Sequence, residues 1–442
     1  MHTLTFKLKQ QTPLIHFHNQ QGATLRVTEV KPKLDKYLIE IMGGVDEASS
    51  NYSQWLIPKT KQLAFDYRLK IVAPSVVNEE ILEGAENRIP FYFGNMGREY
   101  VRNPKYLSFT NVNIEVTITS FNCAKIDNET IVDYIRSIIA TFFLKENFGT
   151  RQSKGYGSFY ISEDDEIYDV PKDIIGLQHG SGAIDFLQYS FNLTGNGGDN
   201  KIRSLDVLRK LEIFYKAMRS GINVCFGRNK HYLKSLLWLY YKRMIDTNLK
   251  WEKKKIKEIF LIAHPDTSRQ ILEHTRNPGY INSPLGSTGV NEILIKDLFG
   301  LALEETWKAQ YKFDIEKSIE GIDRFKSPVF FKPIRTDNNF VIFFHALSIN
   351  PANSILDKSV EINKTLRIPT PATFDFHKFF DFLSNPSMFN LDNHMLVNAI
   401  NNLTGNLESM RVTDIKSQHT NEHNRIENYK VLNNIIKDLQ RN

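Results

Sequence analysis

The chain has 442 residues, too many for one ordinary hydrophobic core, so two or three folding units are expected. Apolar residues make up 41% of it, with Phe 30 and Tyr 18, which is enough to pack cores and excludes a generally disordered chain. Lys and Arg outnumber Asp and Glu by 56 to 50, and the formal charge of +6 permits a nucleic-acid partner without requiring one.

Leu4, Phe6 and Leu8 alternate with Thr3, Thr5, Lys7 and Lys9, the period of a strand with one buried face. From Thr28 onward, Val30, Leu34, Tyr37 and Leu38 share a helical face, and Pro32 fits such a helix only in its opening turn. Leu63, Phe65, Tyr67, Leu69 and Ile71 alternate again, as do Val112, Ile114, Val116 and Ile118. Ile131, Tyr134, Ile135, Ile138, Ile139 and Phe142 then recur at helical spacing, Gly149 ends that pattern, and a β-rich run covers 157–161. The order is βαββαβ, that of an α+β, ferredoxin-like (RRM-like) fold, which serves RNA-binding modules and many unrelated functions. An insertion over 73–107 interleaves Arg88, Arg98, Arg102 and Lys105 with Tyr92, Phe93, Tyr100 and Tyr106. Cations meeting phosphates and rings stacking on bases would suit a nucleic acid; a loop folding its rings back onto the domain accounts for the same residues.

A second unit starts where Leu187, Tyr189, Phe191 and Leu193 alternate, followed by a helical pattern from Leu205 to Phe214. Two β-rich runs, 327–334 and 340–347, and a helix over 374–383 complete a second βαββα order whose last strand is unclear. Between them, 223–325 reads as a helical insertion with strong periodicity around Leu233, Leu236, Leu237 and Tyr240. The tail closes on one amphipathic helix carrying Ile426, Tyr429, Leu432, Ile435, Ile436 and Leu439. The expected domains are thus 1–165 and 166–442, the second holding the insertion and the tail.

Cys123 and Cys225 are the only cysteines and form no CxxC pattern, so no disulfide framework, structural metal or cofactor is expected. Neither a membrane-length apolar run nor a signal peptide is seen, and a cytoplasmic protein that avoids membranes is expected.

The peptide from Phe148 to Phe159 puts Gly149, Gly155 and Gly157 with Arg151 and Lys154 in one turn between the second helix and the fourth strand. Glycine amides could face a phosphate that the two cations neutralise; a structural turn with ordinary surface cations explains the same pattern. This peptide resembles the glycine-rich loop of the RAMP superfamily, in the position that loop holds. A second peptide, Ala23 to Leu34, resembles the segment that opens the family's first helix, and a third, Arg324 to Lys332, resembles the start of a strand in the second domain of the first subunit of the CRISPR type III-B (Cmr) effector. Pro32 departs from the Gly expected after Lys31 in closer relatives. The resemblance implies two ferredoxin-like RAMP domains in a non-catalytic subunit of a ribonucleoprotein, working in antiviral defence. Its partners would be CRISPR guide RNA, target RNA and other Cmr subunits. It assigns RNA contacts to Arg26, Lys31 and Lys33 and to Gly149, Arg151, Lys154, Gly155 and Gly157, while Arg98 and Arg102 are RNA candidates from the cation-and-ring pattern of the insertion.

Some RAMP relatives cleave guide precursors by metal-free acid–base chemistry, which makes His16 and His18 the alternative catalytic candidates. The sequence contains no P-loop, dinucleotide fingerprint, HExxH or GxSxG, and Glu29 and Asp35 sit six apart on a helix, on different faces, so no metal pair is expected there. A protein-binding scaffold using the insertion and tail is a third reading, and predicts no RNA affinity.

Overall fold

The computed structural model describes residues 1–16, 24–58, 63–81, 89–90, 106–171, 189–226, 229–252, 280–282, 291–301, 304–308, 312–322, 325–337, 339–347, 354–364, 366–391 and 420–441. It is a mixed α/β protein of small, mostly antiparallel sheets with seven α-helices among the described residues. Two compact units are present: residues 1–209 with 330–345, and residues 210–329 with 346–442.

The first unit is organised by a four-stranded sheet in the order β3-β6-β1-β7, made of β1 (His2–Gln10), β3 (Arg68–Val72), β6 (Ile114–Ser120) and β7 (Phe159–Ile161). All pairings are antiparallel, with Leu4 opposite Ile118, Leu8 opposite Ile161 and Leu69 opposite Ile118. Alternation along β1 and β6 sends Leu4, Phe6, Leu8, Ile114, Val116 and Ile118 to one face, where α1 (Val27–Ile41) and α3 (Ile131–Lys145) cover them. Phe6 meets Phe143 edge-on at 6.0 Å, and Tyr37 meets Phe142 at 5.7 Å. The short α2 (Val45–Asn51) follows α1. Thr130 starts α3 with a capping box: its hydroxyl accepts from the Asp133 amide while Asp133 accepts from the Thr130 amide. Pro32 lies inside α1 rather than in its opening turn, because the helix already begins at Val27.

The insertion over 73–107 contributes strands. β2 (Leu14–His16), β4 (Val77–Glu80) and β5 (Tyr106–Phe109) form a second sheet in the order β2-β5-β4. A third sheet, β14-β15-β8, joins β8 (Tyr189–Thr194) to β14 (Val329–Thr336) and β15 (Asn339–Ala346), with Phe340 opposite Leu193 and Ile342 opposite Phe191. The helix expected from Leu205 is α4 (Asn200–Arg219).

The helical insertion over 223–325 needs correction. Its described residues hold one α-helix, α5 (Leu236–Met244), and a 3-10 turn (Lys296–Phe299), beside the strands β9 (Ile222–Phe226), β10 (Asn229–Leu233), β11 (Tyr280–Asn282), β12 (Glu304–Lys308) and β13 (Lys312–Ser318). Leu236, Leu237 and Tyr240 mark α5, whereas Leu233, read with them, ends the strand β10; Phe313 and Ile315 alternate with Asp314 and Glu316, a period-two signal that the helical reading passed over. β13 pairs with β12 on one side and with β16 (Ser359–Ile362) on the other, and β17 (Leu366–Pro369) closes that sheet. The tail helix α7 (Thr420–Leu439) docks within the second unit against β9 and α6 (Phe376–Ser384), burying Tyr429, Leu432, Ile435, Ile436 and Leu439. Gln440 ties its end to the carbonyls of Leu383 and Phe389. Among the described residues no helix is long and apolar enough to cross a membrane.

Candidate nucleic-acid interface

The glycine-rich peptide closes a loop between α3 and β7 that packs on β2 and β14. At Gly157, φ is +65°, and a Cβ there would lie 2.8 Å from the Phe148 carbonyl carbon and closer still to its oxygen. At Gly149 an added Cβ would lie 2.8 Å from the Ile15 carbonyl oxygen, and at Gly155 it would lie 3.0 Å from the Pro333 ring. Protein, not ligand, makes the close approach. The Gly157 amide donates to Pro13 O (2.8 Å), Gly155 to Gln152 O (3.1 Å), Thr150 to Ile15 O (3.0 Å) and Phe148 to Gly157 O (2.9 Å). The reading in which the glycine amides turn outward to a phosphate is therefore corrected for Gly155 and Gly157, whose amides are spent inside the fold. What the loop can offer an anion is its side chains. Arg151 occupies a left-handed turn (φ 59°) and is half-buried; Lys154 is half-buried too, with its ammonium below the surface.

Beneath the loop lies a polar network. Asn147 donates to Gln152 O (2.8 Å) and Phe331 O (2.9 Å), and accepts from the Lys332 ammonium at 3.2 Å. Lys332, on β14, also donates to Glu146 O (2.7 Å) and Phe159 O (3.0 Å). Three oxygens thus match the three N–H groups of a charged lysine. Burial pushes this ammonium well below the usual lysine range, while Glu146 pulls the other way. Sequence reasoning missed Lys332, Asn147 and Gln152. The signal for Lys332 was one cation inside the apolar run Val329-Phe330-Phe331-Lys332-Pro333-Ile334, since a buried charge must find partners.

The first helix brings its lysines into the protein. Lys33 donates to Glu146 Oε2 (2.6 Å), Asn147 O (2.7 Å) and Gln152 Oε1 (2.8 Å), clamping α1 to the loop. Lys31 donates to Asp35 (3.2 Å) and Phe65 O (3.0 Å) and sits 3.7 Å from the centre of the Tyr67 ring. Burial raises the Asp35 carboxyl, with Lys31 opposing it. Both ammonium groups are engaged one or two turns into α1 rather than grouped at its N-terminus. Arg26 does stand at that terminus, half-buried, with extended backbone. Burial likewise raises Glu29, opposed chiefly by Arg26 and then by Lys33. The structure therefore brings Lys33 together with Gly149, Arg151, Lys154, Gly155 and Gly157, and leaves Lys31 with Asp35.

His16 ends β2 paired opposite Tyr106 and is only 4% exposed. His18, Arg98 and Arg102 lie outside the described residues. Among the described residues no group of three His, Cys, Asp or Glu side chains could hold a metal ion.

A family model described as the Cmr1 N-terminal domain matches residues 1–222, and one described as the Cmr1 C-terminal domain matches residues 232–431. The crystal structure of Cmr1 from Pyrococcus furiosus in its apo form is similar at 11% identity and a TM-score of 0.34, covering 79% of this chain and 90% of that one, a likeness too slight to bear on the assignment. A search of curated proteins finds no match.

Proposed function

The chain belongs to the Cmr1 family and so is a subunit of a Cmr complex, and from that premise we propose that it is a non-catalytic RNA-binding subunit that contacts guide RNA and the target RNA paired with it. The match of both family domains along the chain carries the reading. In the proposal each domain is ferredoxin-like, the first over 1–165 and the second over 166–442. The strand order β3-β6-β1-β7, with helices between its first and second and its third and fourth strands in chain order, supports this for the first domain; β14-β15-β8 has the order of three such strands for the second, and it lies in the compact unit of residues 1–209 and 330–345.

Base pairing would supply sequence recognition, and the protein would supply cations fitted to the shape of the backbone. Arg151 and Arg26 are the proposed phosphate partners, and Lys154, half-buried in the same loop as Arg151, adds positive charge. Lys33, Lys332 and Asn147 hold the loop in place, the glycines let it close, and Lys31 supports α1. Arg98 and Arg102 keep their proposed RNA role from the sequence. The burial of His16 supports the non-catalytic assignment, because an acid–base histidine must reach the ribose.

The test is binding of single-stranded and duplex RNA across a salt series, comparing the wild type with Arg151→Ala/Lys154→Ala. The double variant should bind more weakly, with a salt slope shallower by about 1, and the RNA should stay intact on a denaturing gel. Equal slopes would remove the loop from the RNA site. Cleavage that disappears in His16→Ala would replace this reading with a nuclease.

A further inference from the structure

The helix-covered sheet has a second face that the loop does not use. On β1 it carries Thr3, Thr5 and Lys7; on β6, Glu115, Thr117 and Thr119; on the edge strand β3, Arg68, Lys70 and Val72. Register sets Arg68 beside Thr119 and Thr3, and Lys70 beside Thr117 and Thr5, so two cations border a block of four hydroxyls. Phe121 continues the outward parity of β6 one residue past its end. It is 62% exposed, with the Arg68 guanidinium 5.5 Å from its ring centre.

Charge on this face is uneven. Toward β7, Lys7 pairs with Asp164 (3.3 Å) and Lys9 with Glu163 (3.9 Å), and Tyr160 is covered by Tyr168. On the β3 side, Arg68 and Lys70 form no ion pair among the described residues, and Glu115 is the one carboxylate of the rows named above. An exposed ring beside the Arg68 guanidinium, with a second cation, Lys70, further along the same strand, supplies what an unpaired nucleotide needs: a flat partner for the base, positive charge for the phosphates, and hydroxyls for the ribose. Strand rise places Arg68 and Lys70 about 7 Å apart on one face, along the run of the chain.

We propose that this open face, with Phe121 as the stacking platform and Arg68 and Lys70 as phosphate partners, binds a single-stranded stretch of RNA. The proposal rests on the RNA-binding reading above and adds a second surface, selective for unpaired nucleotides, because a duplex keeps its bases stacked on one another.

The experiment measures binding of oligouridine and of a blunt RNA duplex to the full chain and to Phe121→Ala, Arg68→Ala/Lys70→Ala and Arg151→Ala/Lys154→Ala. Oligouridine carrying 4-thiouridine is then photo-crosslinked and the linked peptides are mapped. Phe121→Ala should weaken oligouridine binding about tenfold and leave duplex binding unchanged. Arg68→Ala/Lys70→Ala should make the oligouridine salt slope shallower by about 1.4, roughly 0.7 for each phosphate no longer neutralised. The crosslink should fall on the peptide that contains Phe121. All three residues are exposed, so thermal unfolding of the variants should match the wild type. Wild-type oligouridine affinity in Phe121→Ala, with binding lost only in Arg151→Ala/Lys154→Ala, would overturn this proposal and leave the loop reading standing. A wild-type chain that binds neither RNA would overturn both.

Discussion

Lys317→Met should destabilise the second unit by about 3–5 kcal/mol, the cost of stranding a buried charge. Lys317 on β13 and Asp297 have fully buried side chains, and the ammonium reaches both carboxylate oxygens, at 2.8 and 2.9 Å. Arg219 stands 3.8 Å from the same carboxylate and is already donating to Gly300 O at 3.0 Å, so it compensates only partly. Asp297→Leu alone strands the lysine and should cost a similar amount. Lys317→Met/Asp297→Leu removes both charges and should be less damaging than either single change, because an apolar pair of similar volume has no charge to desolvate. Urea unfolding of the three variants forms a double-mutant cycle. A Lys317→Met cost below about 1 kcal/mol, the range of exposed pairs, would contradict the assignment of this pair as buried.

Gly157→Ala should cost about 3 kcal/mol or more and take RNA binding with it. The left-handed φ of +65° alone accounts for roughly 1–2 kcal/mol in a residue with a Cβ. The remainder comes from overlap with the Phe148 carbonyl, which cannot move freely: the Phe148 amide donates back to Gly157 O, and the Gly157 amide holds Pro13 O. The loop must open at its base, carrying Arg151 and Lys154 with it. The checks are thermal unfolding and RNA affinity on the same preparation. Wild-type stability in Gly157→Ala would mean that this close approach does not exist.

The first sheet was legible because one of its faces is buried. Leu4, Phe6 and Leu8 alternate against threonines and lysines, and Ile131 to Phe142 keep a helical period, so pattern and position agree. β2 and β5 left no such mark. Leu14, Ile15 and His16 are all buried, as are Leu107, Ser108 and Phe109, and a strand without an exposed face has no alternation to read. β4, with the sequence Val-Asn-Glu-Glu, reads as loop until its partner is known.

The candidate site was legible by place and only partly by role. Three glycines and two cations located the loop, but whether a lysine faces solvent or protein depends on residues far along the chain. Lys33 meets Glu146, and Lys332 meets the carbonyls of Glu146 and Phe159, across separations that no local pattern records. Lys31 and Asp35 at i,i+4 were a readable pair, since one helical turn brings them together, and that spacing could have marked Lys31 as engaged. Phe121 lay just beyond a correctly read strand and drew no attention, because a single exposed ring is common in any sequence.

The central claim, that this Cmr-family subunit contacts RNA through the loop after α3, is tested most directly in the assembled complex. Guide RNA and its paired target, each carrying photoreactive nucleotides, are crosslinked there and the linked peptides of this subunit are identified. The claim predicts a crosslink within residues 148–159, lost in Arg151→Ala/Lys154→Ala while the subunit still assembles. RNA that crosslinks to neighbouring subunits and never to this peptide would contradict it.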